Sequence, residues 1–206
     1  MTSTETILDY FAKQDPKLHK IALGLELDEF LLSDETKNYF ERLCRAIAGQ
    51  QLSTKAAATI WQRFYELVGE GSFTPEKIVL LTHEEMRSVG LSNAKAKYIN
   101  GIAQAIVDKN LDIDNLNNLT NEAVIEELTK LKGVGLWTAE MFLMFTLGRE
   151  DLFSSGDLGL KRAIEKIYGL EDPSSEQMHQ LAKKWSPYRT YACRILWESL
   201  DNSPDK

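Results

Sequence analysis

Apolar residues recur along this chain at helical intervals, with no stretch in the strict alternation of a strand. Tyr39, Phe40, Leu43 and Ile47 form one stripe, a spacing that puts side chains on one face of a helix. Ser33-Asp34-Glu35 supplies a start signal ahead of it. Ala57, Ile60, Trp61, Phe64 and Leu67 form a second stripe, opened after Ser53 and closed by Gly69 and Gly71. Thr74-Pro75-Glu76 and Thr82-His83-Glu84-Glu85 read as capped starts of short helices. Longer helices are predicted over residues 93–109 (Ile99, Ile102, Ala103 and Ile106 inward), 121–131, 157–167 and 175–185, with a last one opened by Pro187. The predicted fold class is all-α.

A length of 206 residues, 43% of them hydrophobic, supplies core enough for one large domain or two small lobes and excludes a disordered chain. No long uncharged apolar run is present, so no membrane span is expected. Met1 to Asp15 is polar and carries Glu5 and Asp9, which predicts no secretory signal. The formal net charge of −7 argues against a general nucleic-acid coater. It leaves room for a short DNA footprint, because Lys130, Lys132, Lys161, Arg162 and Lys166 cluster around one stretch. Cys44 and Cys193 match no zinc or redox spacing and read as two reduced core thiols. Two thiols cannot hold a four-cysteine iron–sulfur cluster. His19, His83 and His179 are isolated and read as surface or capping residues.

That stretch runs from Leu128 through Lys132-Gly133-Val134-Gly135 to Phe142, and on to Ser154-Ser155-Gly156-Asp157. Its first part reads as two helices joined by a tight hairpin, with glycines where the backbone must turn or be closely approached. The helix restarting near Leu136 offers free N–H groups and a positive end beside Lys132, the makings of a phosphate site. A plain helical corner with glycines for packing explains Gly-Val-Gly equally well. Asp157 likewise reads as the N-cap of the helix that follows it.

Gly133-Val134-Gly135 followed by Asp157 resembles the helix-hairpin-helix (HhH-GPD) DNA glycosylase superfamily, whose hairpin precedes an essential aspartate. Trp185-Ser186-Pro187-Tyr188-Arg189-Thr190-Tyr191-Ala192 with Trp197, and Ile47-Ala48-Gly49-Gln50-Gln51-Leu52-Ser53 upstream, resemble its alkylated-base branch, 3-methyladenine DNA glycosylase II. Three motifs in order, over roughly residues 40 to 200, carry the resemblance. It implies one glycosylase domain over residues 1–206 with two helical lobes. A central lobe of about 40–150 would hold the hairpin (128–142), residues 1–39 and 151–206 would form the other, and the active site would lie in the cleft between them.

The resemblance also implies roles. Asp157 is the catalytic carboxylate, stabilising an oxocarbenium-like sugar and orienting water. An alkylated base already carries positive charge and leaves readily, so one carboxylate suffices where sugar hydrolases use two. Trp137 stands where lyase-competent relatives hold a Schiff-base lysine. With Trp197, and with Met141 where the branch often has an aromatic, it would wall a pocket for a flipped, cationic base. Gln51 would plug the vacated stack, and Leu91 and Ser92 would wedge the opposite strand. Ser53, Lys132, Gly133, Val134, Gly135 and Thr138 complete the expected DNA contacts. The carbonyls of Thr129, Leu131 and Val134 would hold a structural monovalent cation (Na or K), with no other cofactor required.

The function expected is therefore a monofunctional glycosylase of base excision repair. It would excise alkylated purines from double-stranded DNA as a monomer, off the membrane, in the cytoplasm of a prokaryote or the nucleus of a eukaryote. The alternatives are a bifunctional glycosylase/lyase, disfavoured by Trp137, and a non-catalytic helix-hairpin-helix DNA-binding module, which would need neither Asp157 nor paired tryptophans.

Overall fold

The structure is a computed structural model and describes residues 2–25, 38–69 and 73–201. The described residues form twelve α-helices and no strand: α1 (Thr4–Gln14), α2 (Pro16–Ala22), α3 (Tyr39–Gly49), α4 (Thr54–Val68), α5 (Pro75–Leu80), α6 (His83–Ser88), α7 (Asn93–Val107), α8 (Asn121–Thr129), α9 (Leu136–Phe145), α10 (Leu158–Tyr168), α11 (Ser175–Ala182) and α12 (Arg189–Asp201). Short 3₁₀ turns at Asp114–Asn118 and Lys183–Trp185 complete the set. The chain divides into two compact units, Glu35–Leu147 and Met1–Asp34 with Gly148–Lys206.

Helix starts follow local chemistry. The side chains of Ser53, Thr82, Ser92, Thr120, Asp157 and Ser174 each accept a hydrogen bond from an otherwise orphaned first-turn amide. Thr82 with Glu85 closes a reciprocal capping box. Asn38 caps α3; the start signal at Ser33-Asp34-Glu35 and the stop at Gly71 lie outside the described residues. The last helix corrects one expectation. Pro187 does not open α12, which begins two residues later at Arg189. Trp185 to Tyr188 instead form a turn closed by the Tyr188 N–H on the Trp185 carbonyl at 2.7 Å.

In the unit of residues 35–147 the core combines Leu43, Cys44 and Ile47 of α3 with Phe64, Ile78, Ile99, Ile102, Val124, Leu128 and Leu143, all at 0–1% exposure. Each such side chain contributes about 1.5–3 kcal/mol relative to leaving it in water. Trp61, Phe64 and Phe73 meet at centroid distances of 5.2–5.9 Å, mostly edge-on or tilted, the geometry ring quadrupoles favour.

The other unit is built around Trp185, fully buried. Its indole N–H donates to Asp15 at 2.8 Å, Tyr168 donates to the same carboxylate oxygen at 2.6 Å, and Lys184 pairs with it at 2.9 Å. Asp15 also accepts from the Leu18 amide, capping α2. One buried acid thus ties the N-terminal helices to the C-terminal ones within this unit, and every bond it needs is made.

Candidate active site

In the unit of residues 35–147, α3 and α9 run antiparallel. Gln50, just past the end of α3, donates through Nε2 to Thr138 Oγ1 in the first turn of α9 at 3.2 Å. Arg42, in the first turn of α3, donates to the Phe145 carbonyl at the far end of α9, 2.9 Å away, a cation placed on the negative end of a helix. Helix α9 is apolar nearly all round. Ala139, Phe142, Leu143 and Met144 are buried, while Trp137 (47% exposed) and Phe145, with Met141 between them, repeat every four residues on the opposite side. That second stripe and the Glu41, Arg42, Arg45, Ala46 and Gly49 side of α3 line a cavity of about 960 Å³. The half-exposed indole of Trp137, Gln50 and Gln51 line it as well.

The two glutamines of the α3–α4 turn have opposite fates. Gln51 takes φ +58° and its side chain is exposed. Gln50 turns inward, its Nε2 also donating to the Gly133 carbonyl at 3.1 Å. Lys95, from the first turn of α7, donates to the carbonyls of Ala48 (2.9 Å) and Gln50 (2.7 Å). Burial pushes the Lys95 ammonium below the usual lysine value. The turn that presents Gln51 is therefore held from two sides, by the hairpin and by α7. Neither contact is readable from the sequence, where the glutamines look alike and Lys95 is one lysine of a polar run.

The hairpin sits against Tyr98. Gly133 has φ +91°, and a Cβ built there would stand 2.3 Å from Tyr98 Cδ2, so no other residue fits. Gly133, Val134 and Gly135 line a second, smaller cavity of about 460 Å³ with Gln50, Gln51, Ser92 and Lys95. Ser53 and Ser92 are the exposed N-caps of α4 and α7, and Lys132 is exposed beside the turn. One of the expected DNA contacts is corrected. Leu91 is fully buried: Gly90, at φ +103° against Ile60, reverses the chain so that Leu91 joins the core and cannot act as a wedge. Thr138 is 5% exposed, its hydroxyl accepting from Gln50.

In the other unit, Asp157 caps α10, accepting the Leu160 amide on Oδ1 at 2.8 Å. The same oxygen accepts the indole N–H of Trp197 at 2.9 Å. Trp197 therefore first holds the carboxylate, a role the sequence did not suggest for residues forty positions apart. The segment leading to Asp157 is fastened to the start of α12. Arg189 grips Asp151 with Nε on Oδ1 (2.6 Å) and Nη2 on Oδ2 (3.1 Å). Thr190, fully buried, accepts from the Leu152 amide and donates to the Arg149 carbonyl, and Tyr191 donates to Glu150 at 2.9 Å. Burial pushes the Tyr191 phenol up, helped by Glu150, so it stays a donor. The Arg189-Thr190-Tyr191 run is thus a clasp on the aspartate-bearing segment.

Among the described residues no group of three or more His, Cys, Asp or Glu side chains is disposed to hold a metal ion. A cation at the hairpin would be held by main-chain oxygens alone. Thr129, Leu131 and Val134 offer such hard donors, as a monovalent ion needs, although the Leu131 carbonyl already accepts the Val134 N–H at 3.2 Å. No described helix is long and apolar enough to cross a membrane.

Comparison with known proteins places the fold. The chain is 33% identical over 204 residues to the putative DNA-3-methyladenine glycosylase YfjP of Bacillus subtilis, covering 95% of this chain and 69% of that protein. Its fold superposes on the crystal structure of a DNA-3-methyladenine glycosidase from Bacillus halodurans with a TM-score of 0.81 and 35% identity, covering 95% of this chain and 89% of that one. It superposes also on the 3-methyladenine DNA glycosylase Mag1 of Schizosaccharomyces pombe, solved with abasic DNA, with a TM-score of 0.77 and 31% identity over 98% of both chains. Residues 44–187, which hold the Gln50-Gln51 turn, the hairpin, the Arg149–Leu152 segment that α12 clasps and Asp157, match the family described as HhH-GPD superfamily base excision DNA repair protein, and the chain belongs to that family.

Proposed function

We propose that this chain is a monofunctional DNA glycosylase that hydrolyses the N-glycosidic bond of alkylated purines of the 3-methyladenine and 7-methylguanine type in double-stranded DNA. The observation that carries the reading is the residue after the hairpin. It is Trp137, half exposed on the wall of a 960 Å³ cavity, where a lyase would present an amine. An exposed aromatic face binds a cationic base by stacking and cation–π attraction, and it cannot form a Schiff base.

The chemistry assigns each group a task. Gln51, exposed on a braced turn, fills the stack when the nucleotide leaves it. The hairpin amides of Gly133 to Gly135 and Lys132 take backbone phosphates. As the bond between C1′ and the base nitrogen breaks, its electron pair neutralises the positive base, which departs without prior protonation. The sugar is left oxocarbenium-like, and the Asp157 carboxylate stabilises it and accepts a proton from the attacking water, whose oxygen bonds to C1′. A monovalent ion on the hairpin carbonyls would add positive charge near the phosphates. The chain would act as a monomer, with no organic cofactor, in the cytoplasm or nucleus according to its source.

The test is Asp157→Asn on methylated duplex DNA. Asparagine keeps the cap and the Trp197 bond but loses the charge, so excision should fall by roughly 3 kcal/mol or more of barrier, a hundredfold or greater. Binding to an abasic duplex should persist. A single-turnover rate within about threefold of wild type would remove Asp157 from the mechanism.

A further inference from the structure

Gly159 lies in the first turn of α10, two residues past Asp157, where the sequence gives no reason for a glycine. Its backbone is outside the positive-φ region, and glycine is among the poorest helix formers. Space is what requires it. A Cβ built at Gly159 would stand 3.0 Å from Asp157 Oδ1, 3.1 Å from Trp197 Cδ1 and 3.2 Å from Trp197 Nε1. These are the acceptor, the donor and the donor's ring neighbour in the 2.9 Å bond between α12 and the carboxylate.

We propose that Gly159 is a positioning residue: the missing side chain leaves the slot through which the Trp197 indole reaches Asp157 and fixes the carboxylate. The inference rests on the proposed role of Asp157. The Leu160 amide holds Oδ1 from along the helix. A second donor arrives at the same oxygen from α12, a different direction, and narrows the orientations open to the carboxylate. A methyl at residue 159 would press on both ends of this bond at once. Asp157 is tied to its own helix turn and Trp197 to α12, so the hydrogen bond is the part that gives. Orientation matters because a misplacement of about 1 Å at a reacting group can cost a hundredfold in rate.

Gly159→Ala should slow single-turnover excision of 3-methyladenine from duplex DNA by at least about tenfold. Abasic-duplex affinity and melting temperature should stay at the wild-type value or rise, since alanine favours the helix. Trp197→Phe, which deletes the N–H, should slow excision to a similar degree. The double variant should lose no more than the worse single one, because both act through one bond. An alanine variant within twofold of wild type, or losses that multiply in the double variant, would overturn the proposal. If Gly159→Ala melts well below wild type, Trp197→Phe decides: full activity there would show that the bond fixes nothing of catalytic use, and loss without weaker binding would support the role. Asp157→Asn, run alongside, separates the two ideas. If it stays active, the reading of Asp157 fails; if it is dead while Gly159→Ala is fully active, only the role of Gly159 fails.

Discussion

Replacing Gly133 by alanine should loosen the hairpin and weaken DNA binding with it. Two costs add. The backbone there has φ +91°, a region that costs an L-residue roughly 1–2 kcal/mol. The new methyl would meet Tyr98 at 2.3 Å from Cδ2, 2.4 Å from Cγ and 2.9 Å from Cβ. The ring is contacted near its root, so rotating its far end gives no relief, and overpacking of this kind costs about 1–3 kcal/mol. The sum is roughly 2–5 kcal/mol. In a chain of this size each kcal/mol moves the melting temperature by about 2–4 °C, so a fall of roughly 4–20 °C is expected. The assay is thermal unfolding followed by circular dichroism, paired with abasic-duplex affinity. Tyr98→Gly separates the two costs, because it removes every contacted atom and leaves the backbone strain. In that background Gly133→Ala should cost only about 1–2 kcal/mol. A variant that melts within about 1 °C of wild type, or that costs the same with and without the Tyr98 ring, would refute the reasoning.

Three further outcomes are expected. Borohydride should trap no covalent complex with a lesion duplex, because Trp137 offers no amine; a robust cross-linked band would promote another lysine, with exposed Lys132 the first to test. Gln51→Ala should weaken abasic-duplex binding and slow excision while leaving the melting temperature nearly unchanged, since its side chain is exposed; a much lower melting temperature, or wild-type affinity, would make Gln51 a structural turn residue. Acid should probe Asp15. Burial pushes this carboxyl up, but hydrogen bonds from Tyr168, Trp185, Lys184 and the Leu18 amide outweigh it and hold it below the usual range. A depressed folded value contributes stability above the unfolded value near 3.9, lost as pH falls through the folded one. Melting temperature should therefore drop more steeply below about pH 4 in wild type than in Asp15→Asn, and parallel curves would contradict the assignment.

What the sequence made legible was local. Trp61 and Phe64 announced a helix by their spacing, and both face its core. Asp157 announced a cap because it precedes an apolar-periodic run, and it is one. What stayed hidden depends on the sign of one dihedral or on residues distant in the chain. Only φ separates exposed Gln51 from bonded Gln50. Leu91 was expected at the surface, yet the reversal at Gly90 turns it inward. Trp197 was expected as a wall; its bond to Asp157 joins α10 to α12 across forty residues, beyond any periodicity. Pro187 marked the approach to α12 but not its start, because the turn closed by Tyr188 intervenes.

The double fastening of the Gln50-Gln51 turn has a consequence for how such a protein would search. Gln50 fixes the turn to the hairpin and Lys95 fixes it to α7, so the fingertip and the grip keep one spacing. A protein made this way carries a ruler. If Gln51 probes the stack and the hairpin holds a phosphate, as proposed, it would interrogate the nucleotide a set number of steps from that phosphate, and each slip along the duplex would move the reading point by one base pair. Changing the number of residues between Gly49 and Ser53 would then alter where the ruler reads while leaving intact how firmly it is held.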